Sequence, residues 1–594
     1  MKKFFKRYFH NFLYFYRRIG SRLFVRIGLS ISVGLLDGFG LTMFLPLLQM
    51  VDGANIDSRD LGNLKFLLEG MTTVGIALNL KNILLIMSLF FILKGVVKYL
   101  SATYELKIRL SFIKSMRLKL SLLLSRMQYK AFVKSDVGRI QNTLSGEITK
   151  LSQAYQDYFN AFQYGIMVVI YMLFAFFIDP KFALLICLGA ALTNIAFSWI
   201  YKTTKAHSIR LTKDANLYQS LILQFTTNFK YLKATGYIQK YHGKFADVVD
   251  FFDKLNRKIG NLEAVISSTR EPILVIIVSS VILIQLSVFN GNLGPILISL
   301  LFFYRALNEL IQLQSSYNRF VAVSGTMTNM TEFETELEKT VEKSGGTFFS
   351  KIASTIELIK ATFFYCDTAV LKDINLKISK NQTIAFVGES GSGKTTIVNV
   401  IAGLMPLTAG QLIIDDLHIK DINKESYRAR IGYITQEPVI FNDTIFSNVT
   451  LWDEQSAEQV ERFKQACRQA NIYDFVYSLP EKESTILGNN GINLSGGQKQ
   501  RISIARELYK DIDLIIFDEA TSALDSETEK YIQKSINNLH GKYTILIVAH
   551  RLSTIKQADQ IILMDNGEIA AEGPYDELIL KSEKFKRMVE LQEI

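Results

Sequence analysis

The residues of this sequence best suited to do chemistry form a glycine-rich loop, GESGSGKTT, at positions 388–396. An apolar run at 384–387 predicts a buried strand before this phosphate loop, and a helical pattern begins at Thr395. Four residues fill the spacing G-x-x-x-x-G-K-[ST]: Gly388, Gly393, Lys394 and Thr395. Backbone N–H groups in such a loop surround an anion at the positive end of a helix, so we predict a nucleotide phosphate site. The alternative, a chance glycine-rich turn, does not explain the flanking strand and helix.

Each part of the phosphate loop has an expected role. Lys394 would reach the outer phosphates, and the hydroxyl of Thr395 would bind magnesium. The residues expected to contact the nucleotide here are Gly388, Ser390, Gly391, Ser392, Gly393, Lys394, Thr395 and Thr396.

Two carboxylates, Asp518 and Glu519, end the apolar run 514–517. Ligands bind at the carboxyl ends of strands in α/β sheets, so this pair is expected beside the phosphates. Asp518 would hold magnesium, and Glu519 would orient and deprotonate an attacking water. The alternative is that the two acids only cap a strand-to-helix turn.

A second glycine-rich loop, LSGGQ, occupies residues 494–498 and opens a helical pattern. Its serine and glycines present another helix-terminal anion site. One chain does not need two phosphate sites for one nucleotide. We therefore predict that the LSGGQ loop closes over ATP held by a second copy of the chain.

The 594 residues divide into two unlike halves that must position these motifs. Six apolar stretches in the first half approach the ~20 residues that a bilayer core requires. They are 24–51, 82–104, 161–179, 181–201, 271–290 and 293–316. Buried helices of a large soluble protein are the alternative. The second half alternates short β-like runs with helical ones, which predicts a largely parallel sheet with crossover helices.

The positive charge of the first half is distributed unevenly. The segments 105–160 and 202–270 are rich in Lys and Arg, whereas the connections at 179–180 and 290–292 carry almost none. By the positive-inside rule, the N-terminus, both long segments and the C-terminal half are cytoplasmic. Residues 2–26 interleave basic and aromatic residues, which favours an amphipathic helix on the inner membrane face over RNA binding.

The two basic segments read as helices that extend beyond the membrane and turn back at 128–132 and 225–230. Such tips can dock on the soluble half and transmit its movement, or they can be plain solvated hairpins. On the opposite side, residues 53–80 predict either a short helix on the outer leaflet or a loop. The three cysteines, Cys187, Cys366 and Cys467, show neither metal spacing nor a disulfide framework.

The order of these motifs resembles that of the ATP-binding cassette (ABC) proteins, because LSGGQ lies between the phosphate loop and the Asp-Glu strand. The resemblance implies ATP and Mg²⁺ as cofactors and Ser495, Gly496, Gly497 and Gln498 as ATP contacts. It also implies an adenine-stacking Tyr365, a magnesium-contacting Gln436, a D-loop Asp525 and a switch histidine, His550. Exporters of this family often carry a glutamate before the signature, where this chain has GNNG at 488–491. This departure from the family pattern concerns the glutamate-dependent contacts to the membrane half and not ATP hydrolysis.

The whole chain resembles an ABC exporter half-transporter. The expected architecture is an α-helical six-span transmembrane domain followed by an α/β P-loop nucleotide-binding domain. The expected divisions are 1–23, an amphipathic surface helix; 24–335, the membrane domain; 336–355, a linker; and 356–594, the ATP-binding cassette. One membrane unit and one motor per chain imply a dimer. We expect a homodimer in the bacterial inner membrane, because Glu519, LSGGQ and His550 are all intact.

Within that family, the chain looks similar to bacterial lipid-linked oligosaccharide flippases. The similarity rests on segment 53–80, the Tyr304-Arg305 pair and GINLSGGQKQR. In those flippases cavity arginines meet the carrier pyrophosphate, a part that Arg270 and Arg305 would play here. Alternatively, Arg305 only pairs with Glu309, and Arg270 marks the edge of its span.

The expected cargo is a lipid-linked oligosaccharide or another lipid, with peptides or small amphipathic molecules as the alternative. Three other classes fit less well. A soluble ABC protein lacks spans, an importer keeps membrane and motor parts on separate chains, and a channel or regulatory subunit tends to have a degenerate site. Membrane lipids, a second copy of the chain and the cargo are the expected partners, and nucleic acid is not.

Overall fold

The structure is a computed structural model that describes residues 10–44, 46–47, 73, 75, 79–178, 180–289, 293–365, 368–519, 533–534, 536–549 and 555–591. The chain divides into two compact units. The first unit comprises Met1–Arg126 and Ser135–Thr340, and the second comprises Met127–Lys134 and Val341–Ile594. The predicted outer segment 53–80 lies almost entirely outside the described residues.

Long helices dominate the described part of the first unit. They are α1 (His10–Ile19), α2 (Arg22–Thr42), α3 (Leu80–Ser125), α5 (Val137–Asn142), α6 (Ile148–Ile178), α7 (Pro180–Thr227), α8 (Phe229–Ala234), α9 (Ile238–Phe289), α10 (Leu293–Val323) and α11 (Gly325–Lys339). A π-helical turn, Thr143–Glu147, joins α5 to α6. The 52 residues of α9 extend roughly 78 Å, far beyond a ~30 Å hydrocarbon core. The predicted extension of the spans as long helices is thereby confirmed.

Three helical stretches among the described residues are long and apolar enough to cross a membrane: Arg22–Thr42, Leu80–Ser125 and Val137–Ile178. They overlap the first three predicted apolar stretches. The described parts of the remaining three stretches fall within α7, α9 and α10. The membrane domain is therefore helical as expected, and the count of six spans stays a prediction.

Helices α6 and α10 form a closely packed antiparallel pair in the first unit. Phe174 stacks on Phe302 with ring centroids 5.4 Å apart, and Tyr158 lies 5.1 Å from Phe320. Next to Tyr158 and Phe320 in the sequence, Asp157 and Arg319 also meet: Arg319 Nε donates to Asp157 Oδ1 over 3.1 Å. Rising numbers on one helix therefore meet falling numbers on the other.

The second unit includes a short helix, α4 (Tyr129–Lys134), at the first predicted tip. Its strands are β1 (Thr355–Phe364), β2 (Ala369–Ser379), β3 (Thr383–Val387), β4 (Ala409–Ile414), β5 (Leu417–His418), β6 (Ile431–Ile434), β7 (Leu514–Asp518), β8 (Thr544–Val548), β9 (Gln560–Asp565) and β10 (Glu568–Gly573). Its other helices are α12 (Lys394–Ile401), α13 (Lys424–Arg428), α14 (Ile445–Thr450), α15 (Ala457–Gln469), α16 (Tyr473–Ser478), α17 (Gly496–Tyr509), α18 (Tyr575–Lys581) and α19 (Glu583–Glu590).

Two sheets organise these strands. The larger has the order β10-β9-β3-β8-β7-β6, and all its pairings except β9 with β10 are parallel. Its central strands are buried on both faces, as expected of apolar runs under crossover helices. The predicted parallel sheet is thereby confirmed. A second, antiparallel sheet of order β2-β1-β4-β5 is additional to the prediction, and the alternating burial of β2 fits its single covered face.

The predicted linker 336–355 is not a loose spacer. Helix α11 continues to Lys339, and the following residues pair with segment 421–424 in the second unit. Glu342 accepts hydrogen bonds from Arg428 at 2.8 and 2.6 Å and from Lys424 at 3.2 Å. Burial raises the pKa of Glu342, but hydrogen bonds and charge from Arg428 and Lys424 outweigh it and hold the pKa below its usual value.

Candidate functional site

The phosphate loop connects β3 to α12 and needs its glycines for steric reasons. Gly388, Gly391 and Gly393 have φ angles of 148°, 83° and 105°, in a region that residues with a Cβ rarely adopt. A Cβ on Gly388 would lie 2.3 Å from the carbonyl oxygen of Met564. The predicted strand–loop–helix arrangement is confirmed, with Gly393 immediately before the first helical residue, Lys394.

Lys394 folds back over the phosphate loop. Its Nζ donates to the carbonyl oxygens of Gly388 and Glu389, each over 2.8 Å. Burial lowers the pKa of Lys394, and the charges of Glu519 and Asp518 partly oppose that shift. The Oγ of Ser392 is buried without a hydrogen-bond partner among the described residues. An inward-folded ammonium and an orphaned hydroxyl are donors that suit the phosphates of a nucleotide.

Asp518 ends β7 beside the first turn of α12. The Thr395 hydroxyl donates to Asp518 Oδ1 over 3.2 Å, and the Tyr433 hydroxyl donates to Asp518 Oδ2 over 3.0 Å. Burial raises the pKa of Asp518, against the effect of these two hydrogen bonds. Oxygen ligands from a carboxylate and a hydroxyl are what Mg²⁺ prefers, so this pair fits the predicted metal position.

Glu519 follows at the same edge of the sheet. Its backbone N–H donates to the carbonyl oxygen of Val548 on β8 over 3.1 Å, and its φ is +53°. A residue with a Cβ in this left-handed region costs about 1–3 kcal/mol, and such strain concentrates at functional sites. The structure therefore joins the phosphate loop and both predicted carboxylates in one place, separated only by β8.

The predicted adenine contact, Tyr365, lies directly after β1. Its ring meets Phe363 edge-on, with centroids 5.0 Å apart. Two lysines of α4 fix the backbone here: Lys130 donates to the carbonyl of Phe364 over 2.7 Å, and Lys134 donates to that of Tyr365 over 2.9 Å. The first predicted tip therefore docks on the ATP-binding half, as one of the two interpretations of the sequence expected.

The LSGGQ loop opens α17 as predicted. Ser495 caps the helix: its Oγ accepts from the N–H of Gln498 over 3.3 Å, and its N–H donates to Gln498 Oε1 over 2.8 Å. This reciprocal capping box leaves Ser495 and Gly496 exposed, whereas Gly497 is buried. Gln436, two residues beyond β6, is exposed as well.

For four other predicted site residues the described part of the chain gives less information or no ion pair. Asp525 and His550 lie outside the described residues, and so does the side chain of Arg270 on α9. Arg305 is exposed on α10 beside the exposed Tyr304. Among the described residues no ion pair within 4 Å joins Arg305 to Glu309, so both interpretations of Arg305 stay open.

The sequence did not indicate Lys130, Lys134 or Tyr433 as site residues. Lys130 and Lys134 lie more than 230 positions before the backbone that they contact. The available signal for Tyr433 was its place as a polar aromatic in the short strand β6, three residues before Gln436. Contacts made through the fold at such separations leave no local pattern in the sequence.

Comparisons with known proteins match both halves of the chain. Residues 27–310 match the ABC transporter transmembrane region, and residues 371–522 match the ABC transporter family. The ATP-dependent lipid A-core flippase of Syntrophus aciditrophicus (strain SB) is 28% identical over 520 residues, which cover 86% of each chain. A putative multidrug export ATP-binding/permease protein of Staphylococcus aureus (strain NCTC 8325) is 42% identical over 241 residues, 40% of this chain and 41% of the relative.

A solved structure of a bacterial Atm1-family ABC exporter with ATP bound has the same fold. It superposes with a TM-score of 0.78 at 21% identity, and the alignment covers 98% of this chain and 99% of that one. Helical membrane region and ATP-binding domain thus occur in the same order on one polypeptide in both. With the phosphate loop, its neighbouring carboxylates and the LSGGQ loop in place, this chain belongs to the ABC transporters and is an ATPase coupled to transport.

Proposed function

We propose that this protein is a homodimeric exporter that uses ATP to flip a lipid, such as a lipid-linked oligosaccharide, across the bacterial inner membrane. The observation that carries the ATP-driven part is the hydrogen bond of 3.2 Å from Thr395 to Asp518, which joins the phosphate loop to the carboxylates. The relatives named as lipid A-core flippases support a lipid as cargo. The relative named for multidrug export keeps peptides and small amphipathic molecules as the alternative.

Thr395, Asp518 and Gln436 are the residues that would hold Mg²⁺ with the nucleotide. The ion, when bound, neutralises charge on the outer phosphates. Lys394 turns from the carbonyls of the loop toward those phosphates, and Ser392 gains a partner for its buried hydroxyl. Glu519 orients a water and accepts its proton, while His550 and Asp525 complete the site as the family resemblance implies.

The exposed LSGGQ loop supports a dimer. Ser495 and Gly496 would contact the outer phosphate of ATP on a second copy, whose own LSGGQ loop returns the contact. Two ATP molecules then clamp the two cassettes together. Native mass spectrometry of the purified protein is expected to show two identical chains, and an obligate different partner chain would contradict the homodimer.

Two tips connect the cassettes to the membrane helices in this proposal. Lys130 and Lys134 hold the first tip on the backbone beside Tyr365. The second tip, 225–230, carries the exposed Phe229, and the exposed Tyr231 and Tyr237 follow it; these aromatic residues would meet a second copy. Closure of the cassettes would move both tips and open the cavity outward, and hydrolysis would reset it.

The proposed domain bounds remain 1–23, 24–335, 336–355 and 356–594, with the N-terminus and cassette in the cytoplasm. Helix α1 fits a position on the inner membrane surface. Phe15 is fully buried against Phe112, Tyr155 and Phe159, while Tyr16 and Arg17 face outward. An aromatic and a cation on one exposed side suit the interface between anionic headgroups and acyl chains.

Hydrolysis of ATP in liposomes, with and without a polyprenyl-pyrophosphate-linked glycan, tests the cargo. We expect the lipid-linked glycan to stimulate hydrolysis and the free glycan to have no effect. Stimulation by peptides or drugs in its place would favour the alternative cargo.

The variant Arg305→Ala tests the proposed cavity. Its guanidinium is exposed on a membrane helix, where a charge is costly unless it faces water or a charged ligand. We expect Arg305→Ala to lose most of the stimulation by the lipid-linked glycan and to keep basal hydrolysis. Lys202→Ala, an exposed cation on the cytoplasmic part of α7, is the matched control and should be stimulated normally. Equal stimulation of Arg305→Ala and the control would refute the role of Arg305.

A further inference from the structure

The Tyr433 hydroxyl lies at a junction that no motif of the sequence assigned. It is 3.0 Å from Asp518 Oδ2 on β7 and 3.0 Å from the side-chain amide of Asn399 on α12. Strands β6 and β7 run parallel, with Tyr433 opposite Ile516, so the tyrosine reaches the carboxyl end of the neighbouring strand. One phenol thus connects β6, the predicted magnesium carboxylate and the helix of the phosphate loop.

The direction of these hydrogen bonds follows from proton counting. A phenol has an ordinary pKa of about 10, so Tyr433 keeps its proton near neutral pH. It has one proton to donate, and the carboxylate is the stronger acceptor. In the structure Asn399 presents Oδ1 to the phenol. A half-turn of its side chain would present the NH₂ group in its place, which can donate to the phenol oxygen.

Asp518 is held at both of its oxygens. The Thr395 hydroxyl occupies one lone pair of Oδ1, and the Tyr433 phenol occupies one lone pair of Oδ2. Each carboxylate oxygen retains a lone pair for a further partner. The plane of the carboxylate is therefore fixed before any metal or metal-bound water reaches it.

We propose that Tyr433 is a positioning residue that holds the Asp518 carboxylate in the orientation required for Mg²⁺ with bound nucleotide. It acts through Asp518 and has no direct contact with nucleotide or metal in this role. Residues that orient a metal-binding group typically change metal affinity by about 10–100-fold when they are replaced. This inference rests on the proposed magnesium site at Thr395 and Asp518.

The test is Mn²⁺ binding to the full-length protein with AMP-PNP, followed by electron paramagnetic resonance of the free ion. Tyr433→Phe removes only the hydroxyl, and we expect about tenfold weaker Mn²⁺ binding. AMP-PNP affinity without metal should stay unchanged, because no nucleotide contact is lost. A general loss of structure would weaken both Mn²⁺ binding and AMP-PNP binding, so it would not produce this result.

Tyr509→Phe is the matched control. The Tyr509 hydroxyl also donates to a carboxylate, Asp453 Oδ2, over 2.8 Å, but at the far end of α17 from the LSGGQ loop. We expect this variant to bind Mn²⁺ as the wild type does. Equal Mn²⁺ affinities for Tyr433→Phe and the wild type, or equal losses in Tyr433→Phe and Tyr509→Phe, would overturn the inference.

Two further variants keep the inference testable if Tyr433→Phe folds poorly. Asn399→Ala removes the side-chain amide that contacts the phenol oxygen, and it should weaken Mn²⁺ binding in the same direction but by less. In an Asp518→Asn background, Tyr433→Phe should add no further loss, and an additive loss would contradict action through Asp518. If the wild type itself shows no nucleotide-dependent Mn²⁺ binding, the proposed magnesium site fails, which is a distinct result.

Discussion

Two glycine-rich loops precede helices in the second unit, and they differ in the hydrogen bonds that hold them. The phosphate loop before α12 is braced from within: Lys394 bonds to its carbonyls, and Thr395 bonds to Asp518. The LSGGQ loop before α17 is held by the capping box of Ser495 and Gln498, and its serine is exposed. The first loop has its carboxylates beside it within one chain, whereas no such carboxylate pair lies beside the LSGGQ loop among the residues that the structure describes.

This difference indicates that each chain supplies two partial ATP sites, one at the phosphate loop and one at the LSGGQ loop. A helix N-terminus with free donors attracts an anion, but hydrolysis also needs a base and a metal ligand. Only the phosphate loop has Asp518 and Glu519 beside it. The LSGGQ loop is then most useful as a cover for nucleotide held by a second copy. The following variants test that division, from the largest expected effect to the smallest.

Glu519→Gln should have the largest effect on hydrolysis. Loss of a general base typically costs about 10²–10⁴-fold in rate, while ATP binding through the phosphate loop should persist. Hydrolysis is measured by phosphate release and binding by a fluorescent ATP analogue. Asp559→Asn, at the start of the β9 region, is a matched control with a half-exposed carboxylate away from the loop, and it should retain hydrolysis. Rapid turnover by Glu519→Gln would contradict its role as base.

Lys394→Ala should weaken ATP binding by about 10–100-fold, because charge-assisted hydrogen bonds to the phosphates are lost. Lys499→Ala is the matched control, since Lys499 stands in the first turn of α17, as Lys394 stands in that of α12. At protein concentrations where the cassettes do not clamp, this control should bind ATP normally. Equal losses in both variants would remove the distinction between the two loops.

Ser495→Ala should slow hydrolysis by about tenfold, which corresponds to one hydrogen bond to a charged group. Binding of ATP to the unclamped chain should not change, because Ser495 contacts only the nucleotide of the second copy in this account. Part of any decrease in thermal stability would come from the lost helix cap, worth about 0.5–2 kcal/mol. Weaker ATP binding to the unclamped chain would place Ser495 in the same site as Lys394.

The second unit could be predicted from the sequence because its chemistry depends on short local patterns. The loop at 388–396, the strand ending at Asp518 and the helix after LSGGQ all appear where the spacing predicted them. Tyr433 and Lys130 could not be predicted, because their partners lie 85 and 234 positions away. The antiparallel sheet β2-β1-β4-β5 was missed because its strands look like the apolar runs of the main sheet.

The first unit was less predictable beyond its helices. Asp37 lies in an apolar stretch that was interpreted only as a span, yet it is buried, with Lys94 2.5 Å from Oδ1 and the Tyr171 hydroxyl bonded to Oδ2. Such a charge within a membrane helix is costly unless it is paired, and the pairing depends on three helices far apart in sequence. Periodicity shows which residues are apolar enough to span but not which partners an isolated acid will find.

The most direct test of the two-loop account is a mixed dimer, in which one chain carries Lys394→Ala and the other carries Ser495→Arg. Two different affinity tags isolate the mixed dimer, and each variant is also prepared as its own homodimer. If each site combines the phosphate loop of one chain with the LSGGQ loop of the other, both defects fall in one site and the second site is intact. The account predicts hydrolysis by the mixed dimer that clearly exceeds that of either homodimer. Hydrolysis no greater than that of the homodimers would contradict it, because each chain would then have damaged its own site.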